Sequence, residues 1–153
     1  MGRGALLLKL ELRSNPEALC AIRGALGNLV ETLGFPPEDC RSVVRAVDEA
    51  LANIIRHAYH GEDGKPIEII VRRIEERHAG LMREALEILL EDEGVPIDRK
   101  KLQGRDLDDV KPGGLGLHFM RECMDAVEFR RSKGKNQLRL VKYLLIVTPN
   151  PMG

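Results

Sequence analysis

Glu49, Asn53 and His57 stand four residues apart in the stretch VDEALANIIRHAYHG, Val47 to Gly61. In a helix that spacing stacks them along one face. A carboxylate and a carboxamide one turn apart suit a hard cation or a positioned hydroxyl. The amide oxygen can ligate Mg²⁺ while the carboxylate takes a proton. The opposing reading is a solvated helix face: Val44, Val47, Leu51, Ile54, Ile55 and Ala58 share one apolar stripe, and Glu49 and Asn53 fall roughly opposite it. Two details weigh against solvation. Ala46 and Ala50 flank the pair and leave a trough where a solvated helix more often carries Lys or Glu. Asn is also a mediocre helix former and needs a local reason to sit mid-helix.

Two glycine elements follow. In EDEGVPID, at the end of an expected strand, Asp92 is an acceptor and Gly94 a backbone that permits close approach. A buried carboxylate there suits an amino group on a flat heterocycle; a plain turn is the alternative. In KPGGLGLHFM, Gly113, Gly114 and Gly116 precede a helix, where unpaired amides and the helix dipole favour an anion. No Gly-Lys-Ser/Thr ending is present, so this is not a P-loop, and a long loop rather than a strand precedes it, unlike a dinucleotide fingerprint.

The elements that must position these residues can be read from periodicity. Ala5 to Arg13 ends in alternation and reads as an opening strand. Asn15 and Pro16 form an N-cap and first-turn pair for a helix that stops at Gly34. FPPEDC turns into a second helix running to about His60, and GEDGK reads as a hairpin loop. Strands are expected over Ile67–Ile74 and about Leu81–Asp92; RIEERHAG between them fits either a hairpin extension or a helical turn. Residues 96–112 read as a loop, followed by a helix through His118 to Met124 and a closing hairpin around SKGKN. The order β-α-α-β-β-loop-α-β-β implies an α+β fold, a largely antiparallel sheet with helices on one face.

With 153 residues the chain fits one domain able to bury its own core. The 24 basic and 24 acidic residues cancel, which disfavours a nucleic-acid partner. No apolar run approaches the ~20 residues of a membrane span, and the first residues make a poor signal peptide. Cys20, Cys40 and Cys123 lack metal spacing and read as buried free thiols in a reducing cytoplasm.

Taken in order, VDEALANIIRHAY, LLEDEGVPID, PGGLGLHFMRECMD and the late KGKNQLRLVKYL resemble the GHKL ATPase superfamily. Within it the chain is similar to the small anti-sigma-factor serine/threonine kinases, over nearly its whole length. The resemblance implies a two-layer α/β sandwich with a mixed, mostly antiparallel sheet, spanning residues 1–153 as one histidine-kinase-like ATPase domain. It implies ATP and Mg²⁺ as cofactors. Glu49 would be the general base and Asn53 the Mg²⁺ ligand. Asp92 would bind the adenine amino group, with Gly94 letting the base sit close. Gly113, Gly114, Leu115, Gly116 and Leu117 would present the phosphate-binding segment, residues 96–112 would form the lid, and His57 would serve packing or site support.

Two features depart from the family pattern. Pro96 replaces a second glycine of the first glycine box, and Asn136 and Gln137 stand where a Thr commonly approaches the adenine. The resemblance further implies a homodimer that holds a sigma factor inactive and phosphorylates a small anti-sigma-factor antagonist. A histidine kinase would need a phosphoacceptor His upstream, and no His precedes His57. The alternative function is a nucleotide-sensing adaptor that binds a protein partner without phosphoryl transfer. Retention of Glu49 favours the kinase.

Overall fold

The computed structural model describes residues 4–97 and 116–144. Strand β1 (Ala5–Arg13) precedes helices α1 (Pro16–Thr32) and α2 (Pro37–Asn53), and a π-helical turn (Ile54–Ala58) extends α2. Strands β2 (Pro66–His78) and β3 (Leu81–Asp92), helix α3 (Gly116–Cys123) and strands β4 (Ala126–Ser132) and β5 (Lys135–Tyr143) complete the order. The sheet runs β1-β2-β3-β5-β4, and each neighbouring pair is antiparallel. The fold is α+β, as the element order predicts.

Strand alternation decides which sheet face is covered. Ile67, Ile69 and Val71 of β2 and Leu86, Ile88 and Leu90 of β3 are buried with Leu138 and Leu140 of β5, in one cluster with the apolar faces of the helices. The intervening residues build an open, charged face. There Arg139 reaches Glu87 at 2.7 Å, Glu76 at 3.3 Å and Glu128 at 3.4 Å.

RIEERHAG proves to be a hairpin extension. The β2–β3 ladder continues to the pair His78 and Leu81 around a two-residue turn, with Ala79 and Gly80 both at positive φ. GEDGK does not join two strands; it carries the chain from the π-helical turn into β2. The Asn15 side chain makes no capping hydrogen bond to α1. Its Oδ1 accepts from the Gly64 amide at 3.1 Å instead, and Ser14 beside it bonds Glu62 and Lys65, so the pair fastens that connection.

Helix α2 is covered on more sides than its apolar stripe suggests, because α1 and α3 both pack on it. Val43, Ala46 and Ala50 are fully buried, whereas Val44 and Ile55 are only partly so. The alanines make room for a neighbouring helix. Among the described residues no helix is long and apolar enough to cross a membrane.

Candidate functional site

Glu49 and Asn53 do converge. Asn53 ends α2 and is 4% exposed, and neither its Oδ1 nor its Nδ2 has a hydrogen-bond partner among the described residues. A buried carboxamide with both ends unpaired is costly unless a ligand completes it. Gly116 of α3 sits against the pair. A Cβ added to Gly116 would lie 2.7 Å from Asn53 Nδ2 and 2.8 Å from Glu49 Oε1, so the α3 backbone comes close to both side chains there. The Leu117 side chain belongs to the core. Gly113, Gly114 and Leu115 lie outside the described residues, as does the expected lid beyond Ile97.

These residues fit a magnesium ion. The orphaned oxygen of Asn53 is a hard donor, and Mg²⁺ takes one or two protein ligands when phosphates supply the rest. No three His, Cys, Asp or Glu side chains converge to hold a metal by themselves among the described residues.

Asp92 closes the other end of the site. It ends β3 facing the helices and is 3% exposed. Its Oδ1 accepts from the Gly94 amide at 2.9 Å and from Asn136 Nδ2 at 2.8 Å. Burial raises its pKa above the ordinary carboxylate value, with the bonds from Asn136 and Gly94 and the charge of Arg131 opposing the shift. Asn136 is held on both sides. Nδ2 also donates to the Val95 carbonyl at 2.8 Å, while Oδ1 accepts from Arg131 at 2.8 Å. Its polar atoms thus serve Asp92 and the following turn.

Gly94 has a reason internal to the protein as well. A Cβ there would stand 2.4 Å from the Ala58 carbonyl oxygen, so the turn after Asp92 lies directly on the π-helical turn. The Val95 amide donates to the same carbonyl at 3.0 Å.

Between Asn53 and Asp92 lies a mostly apolar cavity of about 20 Å³, walled in part by Ile97, Met120, Phe129 and Asn136. A ligand pocket is typically ~300–1,000 Å³, so a base enters only if side chains such as Ile97 or Phe129 move apart. A larger cavity of about 610 Å³ opens on the other side of Asp92, between Glu11, Glu68, Glu91 and Glu93 on one hand and Arg13 and Lys135 on the other. Lys135 is already paired with Glu91 at 3.1 Å. Those carboxylates disfavour a polyphosphate in the larger cavity.

His57 Nε2 is buried without a partner among the described residues. Arg131 and Tyr59 were not singled out by spacing, and Ala58 only as part of the apolar stripe. Tyr59 is visible within HAY, but its use depends on a strand register that local sequence does not reveal.

A family model described as the histidine kinase-like ATPase domain matches residues 12–142. The serine-protein kinase RsbW of Bacillus pumilus (strain SAFR-032) is 31% identical over 136 residues, 84% of this chain and 80% of the relative. The protein of the same name from Bacillus subtilis (strain 168) is 27% identical, over 94% of this chain and 89% of the relative. Among solved structures, that of the RsbU and RsbW domains of Rv1364c from Mycobacterium tuberculosis superposes with a TM-score of 0.58 at 15% identity. It covers 89% of this chain, which spans about a third (32%) of the solved one, and the likeness is one of fold. With the orphaned Asn53, the Glu49 beside it and Asp92 across the cavity, these matches lead to one conclusion: the chain belongs to the histidine kinase-like ATPase domain family, among the anti-sigma-factor kinases of the GHKL superfamily.

Proposed function

We propose that the protein is an ATP-dependent protein serine/threonine kinase that holds a sigma factor and phosphorylates a small antagonist protein. One observation carries the reading: the unpaired carboxamide of Asn53 and the carboxylate of Glu49 meet at Gly116 of α3. Asn53 Oδ1 is the donor for magnesium, which when bound neutralises phosphate charge. Glu49, half-buried beside the helix start, accepts the proton of the incoming hydroxyl. Asp92 accepts from the adenine amino group with the oxygen that Gly94 and Asn136 leave free. The glycine segment 113–116 would offer its backbone amides to the phosphates. Catalysis of this kind is positioning and electrostatics, with little covalent work for the protein.

The Bacillus relatives are named serine-protein kinases, which supports the choice of acceptor. A cytoplasmic setting and a homodimer belong to the same proposal. The purified chain should be incubated with Mg²⁺, γ-labelled ATP and candidate antagonists from its own genome. Label on a serine or threonine of one of them is the expected result. Nucleotide binding without transfer to any cognate antagonist would favour the nucleotide-sensing adaptor.

A further inference from the structure

The β2–β3 ladder ends with Ile67 opposite Asp92. One step further the register opposes Pro66 to Glu93. The alternation set by the two-residue turn at the far end makes this a hydrogen-bonded position, so the Glu93 amide and the Pro66 carbonyl should form the next bond. They do not meet. The Tyr59 hydroxyl stands between them, donating to the Pro66 carbonyl and accepting from the Glu93 amide at 2.8 Å. A side chain has taken one rung of the sheet.

The consequence falls on the residue next door. Because the ladder is held open after Asp92, the chain leaves the sheet there. Gly94 then comes to rest on Ala58, and the Val95 amide reaches the Ala58 carbonyl at 3.0 Å. Tyr59 directly follows the π-helical turn, whose length its own amide closes by donating to the Ile54 carbonyl at 3.0 Å. One hydroxyl therefore ties the strand end bearing Asp92 to the helix bearing Glu49 and Asn53. Packing alone does not require it: the ring is 6% exposed, and Phe would fill the same space. Burial raises the phenol's pKa, which keeps it a donor.

We infer that Tyr59 is a specificity-determining positioning residue. Its hydroxyl holds the ladder one rung open and sets where Asp92 meets a nucleobase, favouring a base with an exocyclic amino donor over one with a carbonyl. Without the hydroxyl, Glu93 and Pro66 are free to pair directly, drawing the Asp92 turn off the π-helical turn. The inference rests on the nucleotide reading proposed above and does not depend on phosphoryl transfer.

The test is calorimetric titration of the full chain with Mg-ATP and Mg-GTP, for wild type, Asp92→Asn and Tyr59→Phe. Wild type should prefer ATP, and Asp92→Asn should lose that preference. Tyr59→Phe should weaken ATP binding roughly three- to tenfold, the scale of one hydrogen bond, while GTP binding stays unchanged. An unchanged ATP affinity and ATP/GTP ratio in Tyr59→Phe, beside an Asp92→Asn that loses the preference, would overturn the inference alone. Equal losses for both nucleotides would overturn it too, leaving Tyr59 a packing residue. Wild type binding neither nucleotide would overturn both readings. Should Tyr59→Phe not fold, hydrogen exchange of the wild-type Glu93 amide reads the same contact. Stronger protection with ATP than with GTP is expected, and equal protection would overturn the inference.

Discussion

At the scale of the residue, Asn53 is buried with neither end of its carboxamide paired among the described residues. Asp92 is buried too, bonded to Gly94 and Asn136, with its pKa raised. A carboxyl whose folded pKa lies above its unfolded value costs stability once the pH exceeds that folded pKa, and costs nothing below the unfolded one. Asp92→Asn keeps an oxygen for Gly94 and Asn136 and removes the charge. The variant should be more stable than wild type at pH 7, with the difference shrinking as pH falls through the raised pKa of Asp92, as thermal melts across pH would show. It should also bind ATP roughly 10- to 100-fold more weakly, the scale of a hydrogen bond to a charged group. Asn53→Ala should likewise remove the Mg²⁺ dependence of ATP binding, measured by titration with and without chelator. Glu49, Asn53 and Asp92 were legible in the sequence because a four-residue helical spacing and a strand-end Asp-x-Gly are local patterns. The use of Asn136 was not. Its contacts with Asp92, Val95 and Arg131 follow from the pairing of β3 with β5, which no short stretch encodes.

At the scale of the element, the order of strands and helices was legible and the joints between them were not. Closing alternation marks β1 and SKGKN marks the β4–β5 hairpin, because those signals lie within a few residues. By contrast, GEDGK reads as a hairpin loop yet joins no two strands, and RIEERHAG by itself leaves open the β2–β3 hairpin. The π-helical turn escapes such a reading: its apolar residues look like a continuing helix, and its purpose is to meet the turn after Asp92. Asn15 precedes a helix with Pro16 and so reads as a cap, yet its side chain serves the Gly64 amide across the fold. The glycines separate these roles experimentally. Gly94→Ala drives a Cβ to 2.4 Å from the Ala58 carbonyl oxygen and should destabilise by about 1–3 kcal/mol. In exposed Gly24 of α1 a Cβ would meet nothing within 4 Å, so Gly24→Ala should stabilise by about 0.5–1 kcal/mol. Denaturant titration of the two variants reads both signs.

At the scale of the whole molecule, the proposed nucleotide site would link Asn53 to Asp92, so its occupancy should be felt as global stability. Saturation at a hundred times the dissociation constant adds about 2.7 kcal/mol. In a domain of this size that raises the melting temperature by roughly 5–10 °C. Mg-ATP should produce that shift, readable by differential scanning calorimetry, and Mg-GTP should produce less. The most direct test of the central claim compares wild type with Glu49→Ala, side by side, for ATP binding and for transfer of the γ-phosphate to the antagonist. The account predicts that the variant binds ATP as wild type does and leaves the antagonist unlabelled. Transfer at the wild-type rate by Glu49→Ala would contradict it.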